Sequence, residues 1–185
     1  MKIVLLVAAA LPLLCGCMPT LHPLYSPETL TSLPGLEGNW ESIGNGNGPE
    51  TWRFSQVDST SYTLEYTENE APGEFDARVV KLGDYLFLDI APLGPETENE
   101  VYRGLLLPVH MFGRLTLTAD TLQIGWLDGD WLGEQIDSGT VALNYETIEE
   151  DRLLTAATGD LQAFALKYAD DVSAFPLSTL HRATQ

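Results

Sequence analysis

Short runs of alternating apolar and polar residues fill the chain from Leu36 to about residue 154 and restrict it to folds built on β-sheets. In "TWRFS", Trp52 and Phe54 share a face; in "SYTLEYT", Tyr62, Leu64 and Tyr66 do; in "EFDARVV", Phe75, Ala77 and Val79 do. "KLGDYLFLDI" places Gly83-Asp84 between two apolar runs, which predicts a tight hairpin. After that turn Leu86, Leu88 and Ile90 face one way, and Tyr85 and Phe87 the other. Side chains alternate across a strand, so a period of two marks half-buried strands of an antiparallel sheet. "LEGNWESI" and the loop "GNGNGPE" precede this series, and "ADTLQIGWLD" repeats it with Leu122, Ile124 and Trp126 in register after an Ala119-Asp120 turn. "LLLPVHMFGRLTLT" belongs to it as well, with an edge or a break expected at Pro108. "GTVALNYE" and "DRLLTA" read as the last strands.

Two stretches change period. "DGDWLGEQIDSG" predicts a short helix capped by Asp130, carrying Trp131, Leu132, Gln135 and Ile136 and closed by Gly139. "TGDLQAFALKYADDV" predicts a longer one with Thr158 as N-cap and a stripe of Leu161, Phe164, Ala165, Tyr168 and Val172, packed on the outside of the sheet. The residues beyond, including His181, read as a frayed tail. The expected fold is mainly β: an antiparallel eight- to nine-stranded barrel or sheet, with a short internal helix and a C-terminal helix.

Gly38-Asn39-Trp40, at the start of the first strand, resembles the Gly-x-Trp motif of the lipocalins and related calycins. That resemblance implies an eight-stranded up-and-down barrel in which the Trp closes one end. It also implies a basic residue stacked on the Trp, placed on or after the last strand. Arg152 is the candidate, because it follows the expected strands and precedes the expected helix. An open or two-layer antiparallel sheet is the alternative.

The amino terminus sets location. Met1-Lys2 is followed by an apolar run from Ile3 to Leu14 broken by Pro12. A dozen apolar residues fall short of the roughly 20 that a membrane span needs, and the pattern is that of a secretory signal. Both cysteines of the chain lie at its end, in Leu14-Cys15-Gly16-Cys17. This stretch resembles the lipobox of bacterial lipoproteins. The resemblance implies that Cys17 takes a diacylglycerol thioether, that the chain is cut before it, and that the new amine is acylated. Residues 1–16 are then the signal peptide. Three acyl chains exceed the two signals that stable anchoring requires. Cys15 is a poorer acceptor, since Leu14 is too large for the small-residue position, and a Cys15–Cys17 disulfide would close a strained ring. In enteric-type bacteria an Asp after the cysteine retains a lipoprotein at the inner membrane; Met18 stands there, which implies the outer membrane.

Residues 17–35 carry Pro19, Pro23, Pro27 and Pro34 and read as a lipidated, proline-rich tether. Its Leu21, Leu24, Tyr25, Leu30 and Leu33 imply that part of it lies along the domain. Residues 36–185 are the acidic β-rich domain.

A formal charge of −18 excludes nucleic acid as an expected partner, because phosphate binding needs clustered Lys and Arg. No Gly-x-Ser-x-Gly elbow, Walker loop, His-Glu-x-x-His or catalytic cysteine occurs, so no enzyme activity and no cofactor are expected. Asp128-Gly129-Asp130 with Gly133-Glu134 departs from a calcium loop at Leu132, and no metal site is expected. His110 sits between Val109 and Met111, its side chain directed opposite to theirs, and reads as a satisfied structural histidine. The expected function is a membrane-anchored envelope lipoprotein acting through its surface, in a structural or assembly role with another envelope protein. The alternative is a lipocalin-like binder of a lipid or other apolar ligand, which requires a hollow barrel.

Overall fold

The structure, a computed structural model, describes residue 16 and residues 18–42, 50–68, 70–94, 106–149 and 151–183. Seven strands follow one another as hairpins: β1 (Gly38–Ser42), β2 (Thr51–Gln56), β3 (Ser61–Glu68), β4 (Ala71–Leu82), β5 (Tyr85–Pro92), β6 (Met111–Leu117) and β7 (Thr121–Trp126). The chain then leaves the sheet through helix α1 (Gly129–Asp137), a small hairpin of β8 (Tyr145–Ile148) and β9 (Asp151–Leu154), and helix α2 (Thr158–Lys167). It returns as β10 (Ser178–Arg182), which lies between β7 and β1. Every pairing is antiparallel, and the order β1-β10-β7-β6-β5-β4-β3-β2 closes an eight-stranded barrel. Closure leaves no sheet edge running the length of the barrel.

The closing strand is not the one that the sequence suggests. "DRLLTA" forms β9 of the satellite hairpin, and the supposed frayed tail closes the barrel. The reason is physical. β10 has one apolar residue, Leu180, which is 2% exposed; its other positions are polar, so no alternation announces a strand. Pairing on both sides makes it one.

Alternation sorts the side chains into two cores. Trp40, Phe54, Tyr62, Leu64, Leu88 and Leu115 point into the barrel and are at most 2% exposed. Burying each aliphatic or Phe side chain contributes about 1.5–3 kcal/mol. The second core lies outside the wall. Val80, Phe87 and Phe112 project outward from β4, β5 and β6 and meet Leu132 of α1 and Leu161 and Phe164 of α2. The α2 stripe packs on the outer face of the sheet, with Leu161 and Phe164 buried, Tyr168 half-buried and Asp160 and Lys167 exposed; Val172, which the spacing adds to the stripe, lies beyond the end of α2 and is exposed.

Helix caps differ from the sequence reading by two residues or fewer. Asp128, not Asp130, caps α1, its carboxylate accepting from the Trp131 amide at 2.8 Å. Gly139, at φ +75°, follows the C-cap and ends the helix. The N-cap of α2 is Ala157; the Thr158 hydroxyl instead donates to the Pro23 carbonyl at 2.9 Å.

Candidate functional site

Two assemblies tie chain segments distant in sequence to the barrel wall. The first closes the barrel at Trp40. Its ring is fully buried, and its Nε1 donates to the Leu36 carbonyl at 2.9 Å. The Arg182 guanidinium lies 4.1 Å from the ring centroid. A cation at that distance gains from the negative face of the indole. The same guanidinium donates to the carbonyls of Glu37 and Ala119, each at 3.2 Å, and of Gly35. Gly38 is at φ +127°, and a Cβ there would come within 2.8 Å of Arg182 Nη1. The positive φ is what calls for glycine; a Cβ there would also push aside the end of the Arg182 side chain.

Trp40 is buried on the first strand, and the basic residue over its ring is Arg182 and not Arg152. Arg152 lies on β9, outside the barrel. Its guanidinium pairs with Asp137 at 2.7 Å, donates to the Gly133 carbonyl at 3.2 Å and covers the Tyr145 ring at 5.0 Å. The error follows from the misplaced last strand, since the stacking residue travels with the strand that closes the barrel.

The second assembly holds residues 18–36, which run as a strap over the barrel and not as a free tether. Met18 and Leu24 are buried, and Thr20 is fully buried. Thr20 exchanges two backbone hydrogen bonds with His110, and its neighbours Pro19 and Leu21 bond Leu154 of β9. Further on, Thr29 and Thr31 bond Lys81 and Val79, so Leu30 adds to β4 beyond the end of β3. Leu33 and Leu36 then pack against the barrel core.

Beneath the strap lies a buried acid. Asp89 projects outward from β5 and is 1% exposed. One carboxylate oxygen accepts from the Leu24 amide and the other meets His110 Nδ1, both at 2.7 Å. Tyr25 sets its ring edge to the imidazole at 6.1 Å. Arg78 of β4 is the cross-strand partner of Asp89, with its guanidinium on Asp76 at 2.9 Å. Burial pushes the Asp89 carboxyl above its usual range, opposed by His110 and the Leu24 amide; Asp76 adds to the rise. Burial, with Asp89 and Asp76 nearby, likewise raises the Tyr25 hydroxyl. His110 is directed opposite to Met111, as its position in the strand implies, and is satisfied by Asp89. The pair acts as a clasp: the carboxylate binds the strap, and the histidine binds the carboxylate.

A cleft of about 820 Å³ opens where the strap begins, lined by Gly16, Met18, Asp130, Glu134, Asp137 and Arg152 among others. It lies outside the barrel. Among the described residues no group of three or more His, Cys, Asp or Glu is arranged to hold a metal ion, and no helix is long and apolar enough to cross a membrane. Cys17 itself lies outside the described residues.

Comparison of the chain with models of protein families, with curated proteins and with solved structures returned no match.

Proposed function

We propose that this chain is a cell-envelope lipoprotein, anchored through acylated Cys17 in the outer membrane and facing the periplasm, which presents its barrel surface to another envelope component in a structural or assembly role. The observation that supports it best is the strap. Thr20 is pinned to both His110 and Leu154, and three residues of extended chain reach at most about 11 Å. A lipid on Cys17 therefore lies against the barrel, without slack. The packed barrel interior supports a surface role in the same way, since large inward side chains occupy it. The strong acidity suits a hydrated periplasmic surface. Cys17→Ser should leave the precursor uncut and release it from membranes; a mutant of normal mature mass that still sediments with membranes defeats the reading.

One observation favours a second reading, a binder of an apolar ligand. Across the β1–β2 pair from Trp40, Trp52 packs with Trp126 at 6.1 Å and Tyr66 at 4.9 Å. Its buried Nε1 has no hydrogen-bond partner among the described residues. A ligand oxygen would satisfy it. Quenching or shift of the tryptophan emission on titration with a fatty acid tests this, and an unchanged spectrum at saturating concentration removes it.

A further inference from the structure

Among the described residues Asp89 is the one charged side chain that is buried, and it is shut between the barrel wall and the strap that lies on it. Its Oδ2 accepts from the Leu24 amide and its Oδ1 meets His110 Nδ1, each at 2.7 Å. The Leu24 carbonyl is held from the other side by Gln162 of α2, whose side chain donates to it at 2.8 Å. The Leu24 side chain is fully buried in the outer core. Four residues earlier the Thr20 backbone is bonded to the His110 backbone. His110 therefore holds the strap twice, through its own main chain at Thr20 and through Asp89 at Leu24.

One proton between Oδ1 and Nδ1, on either atom, leaves the pair neutral overall and Oδ2 free to accept from Leu24. Without that proton the pair is a buried negative charge. Nothing that faces it offsets the charge. On β4, Asp76 adds to it, and the Arg78 guanidinium is spent on Asp76 at 2.9 Å. On the strap, burial together with Asp89 and Asp76 keeps the Tyr25 hydroxyl a neutral phenol, and His22 is exposed. On α2 the group that reaches the strap is the neutral Gln162. A buried charge left without its partner is strongly destabilising, and moving the strap aside lets water reach it. We propose that the proton shared by Asp89 and His110 is a latch: with it the strap is shut on the wall, and its loss releases the stretch from Met18 to Leu24. The imidazole, 13% exposed, gives the proton its path to solvent.

The sign is fixed by the two environments of the acid. Under the strap, burial raises the Asp89 carboxyl, against the opposing effects of His110 and the Leu24 amide. In water it returns to about 4. The shut form therefore binds the proton more tightly. Its hold is complete below about pH 4 and weakens as pH rises through the raised value. When the latch opens, the next fixed point is Thr29, whose carbonyl accepts from the Lys81 amide at 2.8 Å. If Cys17 carries lipid, the chain between the anchor and its first fixed point then grows from three residues to twelve, or from about 11 Å to about 40 Å of reach. This consequence rests on the lipoprotein reading above; the latch itself does not.

Amide hydrogen exchange of the mature protein in detergent tests the latch, followed from about pH 5 to pH 8, the range in which an imidazole changes charge. Rates are corrected for the intrinsic rise of exchange with pH. Protection at Thr20, Leu21 and Leu24 should fall together, by up to about ten-fold per pH unit, the slope of one linked proton. The Lys81 amide should hold its protection throughout. Asp89→Asn, whose amide accepts from Leu24 and does not titrate, should abolish the slope. Should that variant not fold, the Asp89 carboxyl carbon of the wild type, followed by NMR, should titrate with the same midpoint as the exchange. Corrected protection independent of pH, a slope unchanged in Asp89→Asn, or a carboxyl midpoint apart from that of exchange overturns the latch. A mature N-terminal peptide whose mass shows no lipid overturns the lipoprotein reading and leaves the latch standing.

Discussion

Removing the Arg182 side chain should open the barrel seam at the strand pair that closes it. In the native protein the guanidinium covers the Trp40 ring at 4.1 Å and donates to three carbonyls. A cation over an indole is worth about 0.5–2 kcal/mol. A charged hydrogen bond adds about 1.5–3 kcal/mol when buried, but Arg182 is half-exposed and water replaces much of that. The sum for Arg182→Ala is about 2–3 kcal/mol. In a domain of this size each kcal/mol moves Tm by about 2–4 °C, so the loss is about 4–12 °C. Arg182→Lys keeps the charge but not the planar fork, and should lose about half as much. Urea denaturation of wild type, Arg182→Ala, Trp40→Phe and the double mutant gives the coupling energy directly. A coupling of about 0.5–2 kcal/mol is expected. Arg182→Ala within about 0.5 kcal/mol of wild type, the range of an ordinary surface substitution, refutes the reasoning. Arg152→Ala is the control, since its partners are on α1 and the satellite hairpin and it does not touch Trp40.

Other outcomes follow from the two cores and the clasp. Phe164→Ala, at a residue 5% exposed and packed on Trp131 and Tyr168, should cost about 3–5 kcal/mol by denaturant melt; a loss under about 1 kcal/mol would mean that α2 does not hold the outer core. Gly38→Ala should cost about 1–3 kcal/mol from its positive φ alone, and a neutral effect would show that the backbone there is not held. For Asp89 the sign comes from its raised carboxyl: its contribution is greatest below the unfolded value, near 4, and is lost as pH rises through the folded one. The stability of wild type relative to Asp89→Asn should therefore fall as pH rises above about 4, and a difference that grows with pH would contradict the raised carboxyl.

Much of the barrel is legible in the sequence because its inward residues alternate without interruption along β2, β3, β4, β5 and β7. Trp52 and Phe54, or Leu122 and Ile124, announce the buried face by spacing alone. Legibility fails where burial comes from pairing and not from apolar content. β10 carries one inward leucine among Ser178, Thr179, His181 and Arg182, and only the flanking β1 and β7 make it a strand. That omission carried Arg182 away with it and left Arg152 as its substitute. The strap was partly visible in Leu21, Leu24 and Leu33, but its fixed course depends on the backbone of Thr20 meeting His110 and Leu154, which leaves no trace in residue type. Asp89 did leave one. A carboxylate on the same outward face as Phe87, inside the apolar run "YLFLDI", is a buried charge in search of a partner. Its partners, Leu24 and His110, are 65 and 21 residues away, beyond any local pattern.

Distance from the bilayer tests the central claim most directly. Mature lipidated protein is reconstituted in liposomes with one spin label at Glu134, beside the start of the strap, or at Asp84, in the hairpin turn at the other end of the barrel. Power saturation with an apolar and an aqueous relaxant then measures the depth of each label. With Cys17 no more than about 11 Å of chain from the pinned Thr20, the Glu134 label should sit at the headgroups and the Asp84 label in water. Equal, fully aqueous behaviour at both positions would mean that the strap does not hold the barrel against the membrane.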